Sequence, residues 1–332
     1  MHPFSLERPR DLTSALSSGA QAGRNDAPVE FIAGGTDMVQ LLQEHVRRPD
    51  RLVSLAGLLQ SSIEDGPHGL RIGAAVTMAE AAAHPAVVER FPVISEALLA
   101  SASPQVRNQA TMGGNLLQRT RCPYFRDVGY AACNKRSPGS GCSALGGETR
   151  WNAVLGTSQA CIAAHPSDLA VALVALDAAV ELWSASGQRT VPLTEFHRLP
   201  GDTPHIETVL EPAEVVAAIL VPAAAVARRS HYLKVRDRAS FEFAVVSAAV
   251  GLDLENGRIR EARVALGGVG TKPWRVPQVE GALRGAALEE SALRPAAALA
   301  AEGAEPRGGN AFKVELMQRA IVRAVETAGA RT

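Results

Sequence analysis

Apolar positions in this chain fall in short runs separated by glycine-rich turns, and the period of the runs changes along the sequence. Val29–Ile32 is a compact apolar run that meets Ala33-Gly34-Gly35-Thr36-Asp37. Met38, Val39, Leu41, Leu42 and Val46 then recur at helical spacing. That order predicts a strand, a glycine turn and a helix. Residues 51–55 and 69–74 read as further strands. Thr77 followed by Glu80 is a capping box, which opens an Ala-rich helical region. Residues 85–100 are predicted helical, and Ser103-Pro104 marks the next break.

Periodicity is then lost from about residue 118 to residue 165. Beyond that gap, residues 168–176 predict a helix, and Ala179–Ser184 and residues 215–221 predict strands. Pro222 and the Ala-rich residues 223–227 suggest a boundary. Strand patterns return at 230–236, 243–254 and 259–265. Asn256-Gly257 joins the last two as a hairpin turn, and residues 312–328 close the chain as a helix. Mixed strands and helices on this scale predict an α/β (α+β) protein of two to three parts. Residues 1–222 would form one domain, with a small lobe to about residue 55 and a larger lobe beyond it. Residues 228–332 would form a second.

Composition narrows the function. At 332 residues the chain exceeds one typical domain, and 46% apolar residues suffice for real cores. Lys plus Arg equals Asp plus Glu at 34 each, which argues against bulk binding to nucleic acid or to an anionic membrane. No apolar run approaches the roughly 20 residues of a membrane span. The opening MHPFSLERPRDL is charged where a signal peptide needs its apolar stretch, so no export signal of the chain's own is expected.

Three sequence features could carry chemistry. Gly34-Gly35 is either a tight strand–helix turn capped by Thr36 or Asp37, or a place where backbone amides approach an anion closely. It is not the G-x-G-x-x-G pattern of nicotinamide sites. The second feature, Arg107-Asn108-Gln109-Ala110-Thr111-Met112-Gly113-Gly114-Asn115, repeats the Gly-Gly theme. The third lies in the aperiodic stretch, which holds all four cysteines: Cys122, Cys133, Cys142 and Cys161. They lack the paired short knuckles usual in structural zinc sites. An iron–sulfur cluster, a zinc ion and disulfides all stay open on the residues alone. Arg119, Arg121, Arg126, Lys135 and Arg136 either surround the thiols and favour their ionised form, or make a solvated loop face or a contact for a partner. His45, His84 and His205 are expected at the surface, and His165 at a helix entry. No Ser–His–Asp set or carboxylate pair is legible, so hydrolysis has no support.

FIAGGTDM, RNQATMGGNL and SDLAVAL, in this order, resemble the FAD-binding subunit of the xanthine dehydrogenase/molybdenum hydroxylase family, related to the carbon monoxide dehydrogenase flavoprotein. QRTRCPYFRD and CNKRSPGSGC resemble a narrower group, the flavin subunits of bacterial aldehyde oxidoreductases that carry an additional [4Fe–4S] cluster. In most relatives the GGN element runs almost directly into the SD element, so the cysteine stretch between Asn115 and Asp168 reads as an insertion for that cluster.

The resemblance implies a two-lobed FAD-binding domain followed by a small sheet-and-helix domain. Glu30, Phe31, Ile32, Ala33, Gly34, Gly35, Thr36 and Asp37 would hold the FAD pyrophosphate. Ala110, Thr111, Gly114 and Asn115 would line the flavin and ribityl region, with Asp168 accepting from hydroxyls. Val216 and Lys234 would approach the isoalloxazine ring. Cys122, Cys133, Cys142 and Cys161 would ligate the cluster. The partners implied are a molybdenum–pterin large subunit, a [2Fe–2S] small subunit and an external electron acceptor. Assembly would be cytoplasmic, with co-export to the periplasm on a partner's signal left open. Two other readings stand beside this one: a stand-alone flavin oxidoreductase with a zinc-stapled loop, and a scaffold subunit without cofactors.

Overall fold

The computed structural model describes residues 1–19 and 28–331. Among the described residues, twelve strands form three sheets. The first is parallel, with order β1-β3-β2, built from β1 (Ser5–Glu7), β2 (Val29–Ile32) and β3 (Arg51–Ser54). The helix Leu12–Ser18 packs on it around Ala15, Leu16, Val29 and Val53.

The second sheet is antiparallel, with order β4-β5-β8-β6-β7: β4 (Ile63–Gly66), β5 (Gly69–Gly73), β6 (Ala179–Ser184), β7 (Gly187–Pro192) and β8 (Val215–Pro222). It shares one core with the helices Met78–Ala83, Pro92–Ala100 and Asp168–Ala175. The expected helix over 85–100 is two, Pro85–Arg90 and Pro92–Ala100. Pro92 lacks the amide that a continuous helix would use, and buried Phe91 sits at the break. The capping box at Thr77 and Glu80 forms as expected, both reciprocal bonds being present.

The third sheet, antiparallel with order β12-β11-β10-β9, comprises β9 (Ser230–Val235), β10 (Val246–Glu255), β11 (Arg258–Gly267) and β12 (Trp274–Arg275). Asn256 and Gly257 make its tightest turn with φ of 51° and 77°, the left-handed pair that a two-residue hairpin requires. The helices Pro277–Leu283, Glu290–Ala298 and Phe312–Gly329 cover the sheet. β10 starts later than expected, leaving residues 243–245 outside the strand.

Every residue of the helix Asp168–Ala175 is buried, and it packs against the helix Pro92–Ala100 and against β10 and β11. Its first residue, Asp168, meets the third sheet through Tyr232 and Lys234, and Ser101 at the end of the helix Pro92–Ala100. Among the described residues, no helix is long and apolar enough to cross a membrane.

Candidate functional site

A cavity of about 690 Å³ opens where the three sheets converge. Both glycine elements line it. All fifteen side chains and backbone positions expected at a flavin lie on its wall: Glu30, Phe31, Ile32, Ala33, Gly34, Gly35, Thr36, Asp37, Ala110, Thr111, Gly114, Asn115, Asp168, Val216 and Lys234. Residues more than two hundred positions apart in the chain thus share one surface.

The first glycine turn is held by contact with the second element. A Cβ at Gly34 would overlap the carbonyl oxygen of Gln109, and Gly35 takes φ of 74°, so both positions require glycine on backbone grounds. Gln109 Nε2 also donates to the Gly34 carbonyl at 3.3 Å. The Met112–Leu116 segment, which carries the second Gly-Gly, is a short helix capped by Thr111, whose hydroxyl accepts from the Gly114 amide.

Asp168 is nearly sealed from solvent, and the protein occupies both its oxygens. Oδ2 accepts from Lys234 Nζ at 2.7 Å and from Ser101 Oγ at 2.7 Å, and Oδ1 accepts from Tyr232 at 2.6 Å. The Lys234 side chain is only 4% exposed, so it is no ordinary strand lysine. Burial, reinforced by Asp168, holds the Tyr232 phenol protonated well above its usual range. Asn115 is fixed by Ser167 at 2.6 Å, and that hydroxyl also caps the helix that starts at Asp168.

The basic residues before and after Cys122 do not turn to the thiols. Arg121 and Arg126 ion-pair with Asp37 at 2.6 and 2.8 Å, Arg126 reaches Glu44, and Arg119 pairs with Glu207. Arg136 donates to the carbonyls of Tyr124 and Phe125. The carboxylates outcompete neutral thiols for these guanidinium groups. Arg119, Arg121 and Arg126 all line the cavity. Arg119 Nη2 and Arg121 Nε are buried there without a hydrogen-bond partner among the described residues. Burial lowers the pKa of both guanidinium groups, a cost that an anionic ligand would relieve. A pyrophosphate suits this wall.

The four cysteines are free thiols that share one apolar cluster with Tyr124, Phe125 and Ile162, Cys142 packing at its edge. Cys133 and Cys142 face each other across an isolated antiparallel bridge. Asn152 Nδ2 points at Cys122 Sγ at 3.7 Å, and the Ala163 amide at Cys161 Sγ at 3.5 Å. Burial raises the Cys122 thiol pKa and pushes Cys161 up to about 11, against the pull of Lys135. Among the described residues, no group of three or more His, Cys, Asp or Glu side chains is drawn together as a single-ion site. The loop is braced from the C-terminal part: Lys313 Nζ, wholly buried, donates to the carbonyls of Asn152 and Gly268 at 2.9 and 2.7 Å.

Several cavity residues escape sequence reading. Arg47, on the cavity wall, forms a buried 2.7 Å ion pair with Glu30. His205, expected at the surface, is half-buried on the cavity wall. His165 does accept from the Ser167 amide at the helix entry, but it also packs edge-on to His197 at 4.4 Å, and both rings line the cavity. Phe241 and Phe243 line it from a loop, of which the expected strand over 243–254 absorbed Phe243. Only the placing of two Phe around the single charge of Glu242 could have marked them.

Fold and cavity together define an FAD-binding oxidoreductase subunit of the flavoprotein type. The model of the family "FAD binding domain in molybdopterin dehydrogenase" matches residues 2–224, and that of the "CO dehydrogenase flavoprotein C-terminal domain" matches residues 231–328; the chain belongs to this family. It is 43% identical to the aldehyde oxidoreductase FAD-binding subunit PaoB of Escherichia coli (strain K12), over 100% of both chains. It is 25% identical to the carbon monoxide dehydrogenase medium chain of Afipia carboxidovorans, over 99% of this chain and 97% of the other. Among solved structures, quinoline 2-oxidoreductase from Pseudomonas putida 86 has a chain that superposes with a TM-score of 0.75 at 26% identity, covering 99% of this chain and 98% of that one. A chain of the Cu,Mo-CO dehydrogenase shares the fold with a TM-score of 0.76 at 24% identity, covering 100% of both.

Proposed function

We propose that this chain is the FAD-binding, electron-transferring subunit of a molybdenum-hydroxylase complex of the aldehyde oxidoreductase kind. In that complex a molybdenum–pterin large subunit and a [2Fe–2S] small subunit would deliver electrons, and an external acceptor would remove them. The observation that carries this reading is the single cavity into which both glycine elements, Asp168, Val216 and Lys234 converge. Full-length identity of 43% to a subunit of an aldehyde oxidoreductase supports the substrate class. Residues 1–222 would be the flavin domain and 228–332 the second domain that completes its cavity.

Bound here, FAD would supply two-electron chemistry with one-electron exchange. The chain's own residues would orient and neutralise it. Gly34 and Gly35 allow close backbone approach, and Arg119 and Arg121 offer positive charge to the pyrophosphate. The Asp168–Lys234 pair with Tyr232 would keep one wall rigid and dry.

Within the same proposal, Cys122, Cys133, Cys142 and Cys161 hold a [4Fe–4S] cluster. Four free thiols sharing one apolar cluster, with N–H groups directed at two sulfurs, support this. The test is anaerobic isolation of the complex with flavin, iron and acid-labile sulfide counted per chain. Flavin with iron and sulfide is expected; a colourless preparation would sink the proposal.

A further inference from the structure

The carboxylate that ends the first glycine loop is held entirely by the cysteine segment. Asp37 Oδ1 takes Arg121 Nη1 at 2.6 Å and Arg126 Nη2 at 2.8 Å, and Oδ2 accepts from the Arg119 amide at 2.8 Å. These three residues flank Cys122 on both sides. Arg126 also ties the segment to itself, donating to the carbonyls of Thr120 and Arg119 at 2.9 and 3.0 Å. Its side chain is only 10% exposed and that of Asp37 16%, so water competes weakly for these contacts.

The two sides of this contact differ in their intrinsic order. The glycine loop passes through Gly34 and Gly35 and needs an external hold at its end. The cysteine segment is long, with only the short helices Pro123–Arg126 and Ser143–Gly146 for regular structure, and packs its four thiols into one apolar cluster. If the segment leaves its seat, Asp37 loses all three donors and the cavity loses Arg119 and Arg121. An uncompensated carboxylate would then face the place proposed for the pyrophosphate.

We infer that Asp37 couples the two halves of the site: FAD is retained only while the cysteine segment is seated, and bound FAD in turn keeps that segment seated. The inference rests on the flavin reading above. Arg126 and Asp37 act as positioning residues in it, and the coupling is reciprocal because it is a free energy shared between two sites.

The experiment uses the purified complex, stripped of flavin and titrated with FAD. Two variants are compared with the wild type: Cys133→Ser, whose thiol does not line the flavin cavity, and Arg126→Met, which keeps all four cysteines. Each is expected to weaken FAD binding about tenfold, the scale of losing one or two charge-assisted contacts. In the reverse arm, the metal-free wild-type chain is labelled with a maleimide; FAD should slow labelling of Cys122 at least about threefold, and should not do so in Arg126→Met. Dissociation constants within twofold of wild type in both variants, or labelling indifferent to FAD, would overturn the coupling. If Arg126→Met does not fold, the wild-type labelling comparison decides, since it needs no substitution. A wild type that takes up no FAD sinks the flavin reading itself, whereas a wild type and variants that bind equally sink only the coupling.

Discussion

The carboxylate of Asp168 lies 2.7 Å from the ammonium of Lys234, both side chains being at most 5% exposed. The pair joins the start of a fully buried helix to the first strand of the third sheet, so it ties the two cores across the cavity wall. Removing one member strands the other charge in a dry setting, with Tyr232 and Ser101 still donating to Asp168. Lys234→Met is expected to cost about 3–5 kcal/mol of stability, and the double change Asp168→Asn with Lys234→Met clearly less than the sum of the singles. Denaturant unfolding of the four proteins measures this. Single variants that each lose under about 1 kcal/mol would show that the pair is solvated and the wall open.

Gly34 is where the two glycine elements touch. Because a Cβ there would overlap the Gln109 carbonyl, Gly34→Ala must push the elements apart even before any ligand arrives. The expected result is a loss of about 1–3 kcal/mol together with reduced flavin occupancy. Gly146, whose Cβ would meet nothing within 4 Å, is the control, and its change to Ala should leave both quantities unaltered. Equal flavin content in the two variants would contradict the account of Gly34.

Much of the fold was legible because local patterns announce local shapes. The strand Val29–Ile32, the Thr77–Glu80 box and the Asn256-Gly257 turn follow from short-range rules and form as expected. The hidden parts depend on distant partners. Nothing near Lys234 in sequence says that its charge is spent on Asp168, and nothing near Cys122 says that its arginine neighbours turn to Asp37 and Glu207. Short strands such as β1 and β12 carry too little periodic signal to read, and nothing near His197 in sequence announces that its ring packs on His165.

His197 makes stability depend on pH. Its Nε2 bonds the Leu116 carbonyl at 3.0 Å, while Nδ1 is buried with no partner among the described residues, so a second proton has nowhere to go. Burial lowers its pKa from 6.5 to about 4, and His165 shifts in the same direction. The unfolded chain therefore binds more protons than the folded one between these values. The stabilisation is complete above about pH 6.5 and is lost as pH falls toward 4, with about 2 kcal/mol gone by pH 5 from His197 alone. Unfolding free energies at pH 7.5, 6.5 and 5 should show this slope, and His197→Gln should flatten it. An unchanged slope in the variant would place the titration elsewhere.

The thiols set the last prediction. Cys122 and Cys161 have raised pKa values, so without metal they are neutral at pH 7 and their hollow is simply apolar core. Metal binding must expel their protons, which makes loading weaker as pH falls and makes every ligand count. Changing any one of the four cysteines to Ser is expected to lower iron from about four per chain to near zero, with loss of the broad iron–sulfur absorbance. Cys142→Ser is the most informative, because that thiol sits at the edge of the cluster and its loss disturbs packing least. Iron unchanged in all four variants would refute the cluster. One zinc per chain without sulfide would instead assign the hollow to a single ion, and the thiols would then have to close together around it.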